Sequence, residues 1–244
     1  MNGFDGDPRP ARGARQRVLY GRRKGRPLRK QRQKLLVELL PRLRVDLMDT
    51  APGGLDPRSL FTTMASAPHE VWLEVGFGGG EHFCAQAEAH PEIGLIGCEP
   101  FINGVAAALK GIAVSQLTNV RLFTDDAHIL IDAFKEASLA RVFVLFPDPW
   151  PKARHAKRRF ISGQTLDALA RVMAPGALLH VASDDPGMIR WALSAGLAHP
   201  GFDWIAERAP DWCDRPRDQP PTRYEEKARE RGIRPVFLAF RRRG

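Results

Sequence analysis

Hydrophobic residues along the chain gather in short runs of strand length, and the stretches between the runs carry helical spacing. Runs of this kind alternating with helical stretches predict an α/β fold: a doubly wound, mostly parallel, Rossmann-like sheet with helices on both faces. The predicted strands span residues 71–75, 93–98, 120–123, 142–146 and 178–182, with two later ones at 202–206 and 236–240.

Breaker residues set the predicted ends of several helices. Leucines at helical spacing over residues 31–48 predict a helix that Pro41 interrupts. Pro100 is expected in the first turn of a helix that follows the second strand. A helix before the fifth strand should end at Pro175-Gly176, and Asp185-Pro186 predicts the N-cap and first residue of another, closed by Gly196.

Positive charge concentrates in three places and suggests a polyanionic partner. The net charge is +9, and residues 1–34 alone hold twelve Lys and Arg against two Asp. Residues 152–159 contain five basic residues and no acid, and residues 227–244 contain seven basic residues against Glu230. Because neutralising phosphates releases counterions, this distribution favours nucleic acid. We expect residues 1–30 to form a basic flexible arm and residues 31–244 a single domain.

Composition excludes several other classes. The chain has 244 residues, of which 43% are hydrophobic and 27% charged, as in a globular protein. No apolar run approaches the roughly 18 residues of a membrane helix, and no secretory signal is visible. The three cysteines lack metal-ligand spacing, so no metal is expected. We expect a cytoplasmic protein, either a monomer or a weak homo-oligomer.

A glycine turn follows the first predicted strand and indicates a ligand site. Gly76 and Gly78 let the backbone turn sharply and approach a ligand closely. Glu81 stands where a dinucleotide-binding fingerprint has its third glycine, and a carboxylate there opposes a pyrophosphate. Glu99 and Asp126 follow the next two strands, and Glu74 precedes the turn.

These carboxylates suit a cationic ligand that carries no phosphate. S-adenosylmethionine has a sulfonium, an ammonium and a ribose, and an acid after the second strand suits ribose hydroxyls. The pattern therefore favours S-adenosylmethionine over NAD, and an NAD-dependent oxidoreductase remains an alternative.

The segment after the fourth predicted strand carries the most specific pattern. Residues 146–152 read Phe-Pro-Asp-Pro-Trp-Pro-Lys, so that prolines on both sides restrict the backbone of Asp148 and Trp150. The basic residues 152–159 follow at once. An RNA-modifying enzyme needs a rigid loop that positions the base to be modified, beside side chains that bind phosphates.

Six motifs together resemble the bacterial tRNA (guanine-N7-)-methyltransferase family, over about residues 18–240. They are RRKGR at 22–26, LEVGFG at 73–78, GCE at 97–99, FPDPWPKARHAKRR at 146–159, and the pair Ser183-Asp184 with TRYE at 222–225. The long motif is the most specific. The chain departs from the family pattern at Asp185, where an aromatic residue is more frequent, and at Tyr224, where phenylalanine is.

The resemblance implies a class I methyltransferase fold and transfer of a methyl group from S-adenosyl-L-methionine to N7 of a guanosine in tRNA, at position 46 of the variable loop. It implies Asp148 as the catalytic residue. By the same resemblance the methyl donor would be held by Glu74, Gly76, Gly78, Glu99, Asp126 and Asp148. The substrate would be bound by Lys152, Asp184, Thr222, Arg223, Tyr224 and Glu225, and the RNA by Arg154, His155, Lys157, Arg158 and Arg159.

Guanine N7 has a lone pair and no proton to lose at neutral pH, so this reaction needs no general base. We therefore expect Asp148 to act by positioning and electrostatics. Two alternatives stay open: a methyltransferase acting on another nitrogen, and a non-catalytic RNA-binding module of the same fold.

Overall fold

The structure is a computed structural model that describes residues 21–244. Seven strands form one sheet: β1 Val71–Val75, β2 Gly94–Cys98, β3 Val120–Phe123, β4 Leu139–Leu145, β5 Met173–Ser183, β6 Phe202–Trp204 and β7 Val236–Arg242. The helices are α1 Lys30–Glu38, α2 Leu40–Leu43, α3 Glu81–Ala89, α4 Ile102–Val114, α5 Ala127–Ala133, α6 Gly163–Val172, α7 Pro186–Ala198, α8 Pro210–Cys213 and α9 Arg223–Glu230, with 3-10 turns at Pro57–Leu60 and Ala153–Arg158.

The strand order is β3-β2-β1-β4-β5-β7-β6. The first five strands in the chain run parallel to one another, and β7 runs antiparallel to both β5 and β6. The order reverses direction between β1 and β4, which is where ligands bind in open α/β sheets. The predicted doubly wound, mostly parallel sheet is confirmed.

Two hydrophobic cores cover the two faces of the sheet. One contains Leu130 of α5, Leu169 of α6 and Met188 of α7, and all three are fully buried. The other contains Phe83 of α3 and Leu109 of α4. Fully burying one such side chain contributes about 1.5–3 kcal/mol, so helices on both faces are anchored by apolar packing, as predicted.

The boundary between α6 and β5 differs from the prediction. Met173 is the first residue of β5, where it pairs with Leu139, and the helix ends at Val172. The register then passes to Arg141 opposite Leu178, so β5 contains extra residues that bulge from the ladder. Pro175 and Gly176 lie in this bulge. The bulge tolerates Pro175, which has no backbone N–H to donate, and Gly176, which has a φ of +82°. The predicted helix stop at Pro175-Gly176 was therefore wrong.

The α7 helix begins as predicted and ends later. The Asp185 side chain accepts a hydrogen bond of 2.7 Å from the Met188 N–H, and Pro186 is the first helical residue. The helix continues beyond Gly196 to Ala198. A Cβ at position 196 would lie 2.4 Å from the Phe240 ring, so Gly196 lets the helix approach β7 and does not end it.

Two further helix boundaries differ from the prediction: the end of the helical region at residues 31–48 and the start of α4. The helical region predicted over residues 31–48 is interrupted before Pro41, as expected, but ends at Leu43 because Val45 donates a hydrogen bond to the Leu122 carbonyl of β3. Pro100 precedes the N-cap Phe101 and so lies outside the first turn of α4.

The segment before α1 contacts the start of α4. The Ile102 N–H donates to the Arg23 carbonyl, and the Asn103 side chain bonds the Gly25 N–H and the Arg26 carbonyl. The expected arm over residues 1–30 lies, for residues 1–20, outside the described residues. Its boundary at residue 30 stays a prediction.

Among residues 21–244, no helix has the length and apolar character to cross a membrane.

Candidate active site

A cavity of about 620 Å³ opens at the carboxyl ends of the central strands. Val75 of β1, Glu99 after β2 and Leu145 of β4 contribute to its wall. The size lies within the range of roughly 300–1,000 Å³ that small-molecule sites occupy. Of the predicted site residues, the wall includes Gly76, Gly78, Glu99, Asp126, Asp148, Lys157, Arg158, Arg159, Arg223 and Tyr224.

The glycine turn exposes its backbone to this cavity. Gly76 has a φ of +76° and Gly78 a φ of +57°, in the left-handed region that favours glycine. A Cβ at Gly76 would meet no atom within 4 Å, so the peptide there faces open space. The turn therefore leaves room for a ligand at Gly76, and binding of the methyl donor there stays a prediction.

Glu99 ties the glycine turn to the start of α4. One carboxylate oxygen accepts a hydrogen bond of 2.8 Å from the Gly78 N–H, and the other accepts one of 2.9 Å from the Phe101 N–H. Burial raises the pKa of the Glu99 carboxyl, although the two backbone bonds oppose the rise. The nearby charge of Asp148 raises this pKa further, and Arg223 lowers it.

This raised pKa predicts how donor binding depends on pH. An ionised carboxylate is the stronger acceptor for ribose hydroxyls. Donor affinity should therefore weaken as the pH falls through the pKa of Glu99, which lies above its ordinary value of 4.5. Glu99→Gln should bind more weakly at every pH, because an amide has only one acceptor oxygen for two N–H groups, and should lose this dependence.

Calorimetric titration with S-adenosylmethionine over a pH series measures both effects, with circular dichroism to verify folding. The matched control is Glu92→Gln, an exposed carboxylate outside the cavity wall. A Glu99→Gln variant with the wild-type pH dependence would contradict the assignment.

Asp126 caps α5 and holds His128 at the cavity wall. Its Oδ1 accepts from the His128 N–H at 3.0 Å and lies 2.8 Å from His128 Nδ1. His128 Nε2 lies 3.0 Å from the Thr165 hydroxyl, which in turn bonds Ser162. This chain of polar groups fixes the Asp126 carboxylate. Sequence reasoning missed His128, because a histidine close after an acid carries no signal by itself.

The loop after β4 presents Asp148 to the cavity. Phe146 has a φ of +52° and Trp150 a φ of +42°, each about 1–3 kcal/mol unfavourable for a residue with a side chain. Such strain persists only where the surroundings determine the backbone strongly, and it concentrates at functional sites. Asp148 is exposed and lines the cavity between these two residues. The expected rigid presentation of Asp148 thus has a structural basis.

Glu74 lies apart from the other predicted donor ligands. It is 3% exposed, and its Oε2 lies 2.8 Å from His82 Nδ1 of α3. Because side chains alternate along a strand, Val75 faces the cavity and Glu74 faces the helix layer. The structure does not bring Glu74 to the cavity wall, and its role in donor binding stays a prediction.

The predicted substrate motif at residues 222–225 divides into two pairs. Thr222 caps α9 by accepting a hydrogen bond of 3.1 Å from the Glu225 N–H. Glu225 is 2% exposed and forms ion pairs with Arg215 at 3.1 Å and Arg229 at 2.9 Å. Thr222 and Glu225 therefore build the start of the helix and do not line the cavity.

The other pair, Arg223 and Tyr224, reaches the cavity. The Tyr224 ring stacks on Phe146 with centroids 6.2 Å apart and planes 20° apart. The Arg223 guanidinium lies 5.1 Å from the Tyr224 ring centroid. These two side chains form an aromatic and cationic part of the cavity wall.

Lys152 and Asp184 also lie outside the cavity wall. Lys152 is exposed and precedes the 3-10 turn Ala153–Arg158. Asp184 forms an ion pair with Arg231 at 2.5 Å and lines a second recess of about 370 Å³ together with Tyr224. Tyr224 lines both spaces, so they adjoin at this ring.

The predicted RNA-binding residues are placed at different depths. Arg154 and Lys157 are exposed, whereas His155, Arg158 and Arg159 are half-buried. His155 and Arg158 contact the Trp150 ring, with centroid distances of 5.7 Å and 4.9 Å. Their assignment to RNA stays a prediction.

Two features of the wall were not assigned to the site from the sequence. Gly21 and Arg22, from the segment before α1, line the cavity together with the β4 loop. Arg22 belongs to the motif RRKGR, to which sequence reasoning gave no role in the site. Gly104 of α4 packs so closely on the glycine turn that a Cβ there would lie 2.3 Å from the Gly78 carbonyl oxygen. A glycine within a helical pattern could have indicated such a close approach.

Among the described residues, no group of three or more His, Cys, Asp or Glu side chains is placed to hold a metal ion.

The sheet order, the glycine turn and the carboxylates at the strand ends define a class I methyltransferase. Solved structures agree on the fold. The 16S rRNA (adenine(1408)-N(1))-methyltransferase from Catenulisporales acidiphilia is 20% identical, with a TM-score of 0.50 over 78% of this chain and 94% of that one. An rRNA methylase from Streptococcus thermophilus is 9% identical, with a TM-score of 0.50 over 81% and 99%.

Sequence comparisons identify the family. A family model described as "Putative methyltransferase" matches residues 68–238. The tRNA (guanine-N(7)-)-methyltransferase of Rhodospirillum rubrum is 51% identical over 92% of this chain and 88% of that protein. The protein of the same name from Rhizobium meliloti is 45% identical over 95% and 98%. The chain belongs to the tRNA (guanine-N(7)-)-methyltransferase family.

Proposed function

We propose that this protein transfers a methyl group from S-adenosylmethionine to N7 of a guanosine in tRNA. One observation supports this most strongly: a single segment, residues 146–159, supplies both the acid in the cavity and the basic residues at its rim. The names of the relatives specify tRNA and guanine N7. The family resemblance implies position 46 of the variable loop as the acceptor. The scarce cysteines of the sequence suit a cytoplasmic protein, and we propose a monomer or weak homo-oligomer.

The residues of the cavity fit the methyl donor. Gly76 faces open space, and Gly78 lines the cavity beside the Tyr224 ring. Three carboxylates, Glu99, Asp126 and Asp148, face this space, and the described residues include no metal-ligand group. The two glycines and the three carboxylates would hold the donor. When bound, S-adenosylmethionine supplies a methyl group activated by a positively charged sulfur.

The side chains of this site then have to position guanine and stabilise positive charge. Methylated N7 leaves a cationic purine, and the Asp148 carboxylate can stabilise that charge or accept hydrogen bonds from the N1 and N2 edge of guanine. Phe146, Tyr224 and Trp150 supply rings on which an unstacked base can lie. No described group has to remove a proton from N7.

The basic residues around the cavity suit the tRNA backbone. Arg154 and Lys157 are exposed beside the loop that carries Asp148, and Arg22 and Arg223 lie elsewhere on the wall. Contacts from such residues to phosphates fix the orientation of an RNA without reading its sequence.

The test is methyl transfer to tRNA from a strain that lacks 7-methylguanosine. Nucleoside mass spectrometry should detect 7-methylguanosine, and mapping of nuclease fragments should place it in the variable loop. Transfer to another nitrogen would favour the alternative methyltransferase, and tRNA binding without transfer would favour the non-catalytic module. Either result would contradict the proposal.

A further inference from the structure

Arg159 differs from the exposed Arg154 and Lys157 because its guanidinium is half-buried and bonds the backbone of the loop that carries Asp148. Its Nε donates a hydrogen bond of 2.9 Å to the Pro149 carbonyl. One of its terminal nitrogens donates to the Trp150 carbonyl at 3.2 Å. Both acceptors belong to the loop that carries Asp148, so one side chain bonds the backbone immediately after the expected catalytic residue.

The flat face of the same guanidinium is also occupied. It lies 4.8 Å from the ring centroid of Trp191 on α7, within the range of a cation–π contact. The Trp191 indole N–H donates a hydrogen bond of 2.6 Å to the Ile161 carbonyl, which fixes the ring. Arg159 thus links the loop to a helix that is packed on the sheet.

This arrangement leaves little of Arg159 for a phosphate. Arginine binds phosphate best through a fork of two parallel N–H groups. In Arg159, Nε and one terminal nitrogen already donate to carbonyls, and the ring of Trp191 covers a face. Arg154 and Lys157, by contrast, are exposed to solvent. The Arg154 Nε donates a hydrogen bond of 3.3 Å to His155 Nε2, which leaves its terminal nitrogens for a phosphate.

The loop needs such a restraint. Phe146 and Trp150 both have positive φ, which is unfavourable for residues with side chains, so the loop would relax without contacts that hold it. The Pro149 carbonyl belongs to the peptide that joins Pro149 to Trp150, so a bond to it restrains the backbone one residue beyond Asp148.

We propose that Arg159 is a positioning residue that holds the Asp148 loop in its reactive conformation and does not contact the RNA phosphates. This inference rests on the proposed function, because it assigns Arg159 a task in methyl transfer. It separates the basic cluster into an outward part that meets RNA and an inward residue that orders the active site.

The test compares Arg159→Ala with Arg154→Ala in two measurements. The first is the single-turnover rate of methyl transfer at saturating tRNA and donor. The second is tRNA affinity over a series of salt concentrations. A misplacement of about 1 Å can reduce a rate roughly 10²-fold, so Arg159→Ala should slow transfer at least about 30-fold. Its tRNA affinity should stay within about twofold and its salt slope should not change.

Arg154→Ala should instead weaken tRNA binding and reduce the salt slope by about one unit, as expected for a lost phosphate contact. The matched control is Arg190→Ala, an exposed arginine next to Trp191 that lies outside the cavity wall. It should leave the transfer rate unchanged. Arg159→Ala with a salt slope reduced by one unit and a wild-type rate at saturation would overturn the proposal.

Arg159→Lys keeps the inference testable if the alanine variant does not fold. Lysine keeps the positive charge but lacks the planar fork, so we expect an unchanged salt slope and a rate about 5–10-fold below wild type. A wild-type rate in Arg159→Lys would contradict the positioning role. Failure of the proposed function can be told apart from failure of the Arg159 assignment, because the wild-type protein itself would then form no 7-methylguanosine.

Discussion

Asp148→Asn should lower the rate of methyl transfer by about 10²–10³-fold, the loss typical of removing one group that stabilises charge in a transition state. The substitution keeps the shape of the side chain and removes its negative charge from the cavity. Because guanine N7 has no proton to lose, the residual rate should not recover as the pH is raised. That behaviour separates an electrostatic role from proton abstraction.

The measurement is single-turnover transfer to tRNA at several pH values, with donor affinity determined by calorimetry. Asp167→Asn is the matched control, because Asp167 is an exposed aspartate of α6 that bonds His199 away from the cavity. It changes the net charge equally and should retain the wild-type rate. Near-wild-type transfer by Asp148→Asn, with donor binding intact, would exclude Asp148 as the catalytic residue.

Gly104→Ala should weaken donor binding, because the added Cβ would displace the backbone of the glycine turn. The added Cβ would lie 2.3 Å from the Gly78 carbonyl oxygen and 3.4 Å from Cγ of Glu99. Neither α4 nor the turn can move freely, since Leu109 of the same helix is fully buried. We expect about 1–3 kcal/mol lower stability from overpacking, and about 10²-fold lower kcat/KM because the turn is displaced.

Chemical unfolding and steady-state kinetics with varied donor measure these two effects. Gly111→Ala in the same helix is the control, because a Cβ there would meet the end of the Cys84 side chain at 3.0 Å and no backbone atom. It should keep donor binding and can gain up to about 1 kcal/mol of helix propensity. If Gly104→Ala binds the donor as the wild type does, the contact between α4 and the turn is unimportant.

Strands were predictable where local pattern and tertiary environment agree. The buried β1 and β3 have the predicted bounds, because parallel strands covered on both faces read as mostly apolar runs, here with Glu74 and Arg121 as the charged exceptions. The start of β5 was not predictable, because Pro175-Gly176 is a local helix-stop signal. In the structure those residues serve a bulge that depends on the pairing of Met173 with Leu139. Only pairing with the neighbouring strand β4 decides between a helix stop and a bulge at Pro175-Gly176.

The candidate site was predictable to the level of segments and less so to that of side chains. Sequence places Glu99, Asp126 and Asp148 after strands, and strands of one parallel sheet end at a common edge. The orientation of Glu74 depends on strand alternation and on the partner His82, which no local motif reveals. Arg159 illustrates the same limit, because its inward direction is set by Trp191, distant in sequence.

The position of β7 has a consequence for synthesis of the protein on the ribosome. This strand, Val236–Arg242, pairs with both β5 and β6, although both of those precede it in the chain. Until residues 236–242 emerge, the nascent chain carries a β5 edge whose N–H and C=O groups lack their final partner, and such edges invite pairing with other chains. Insertion of β7 between β5 and β6 therefore follows the synthesis of both of those strands, and nascent chains stalled before residue 236 should be the ones that recruit chaperones.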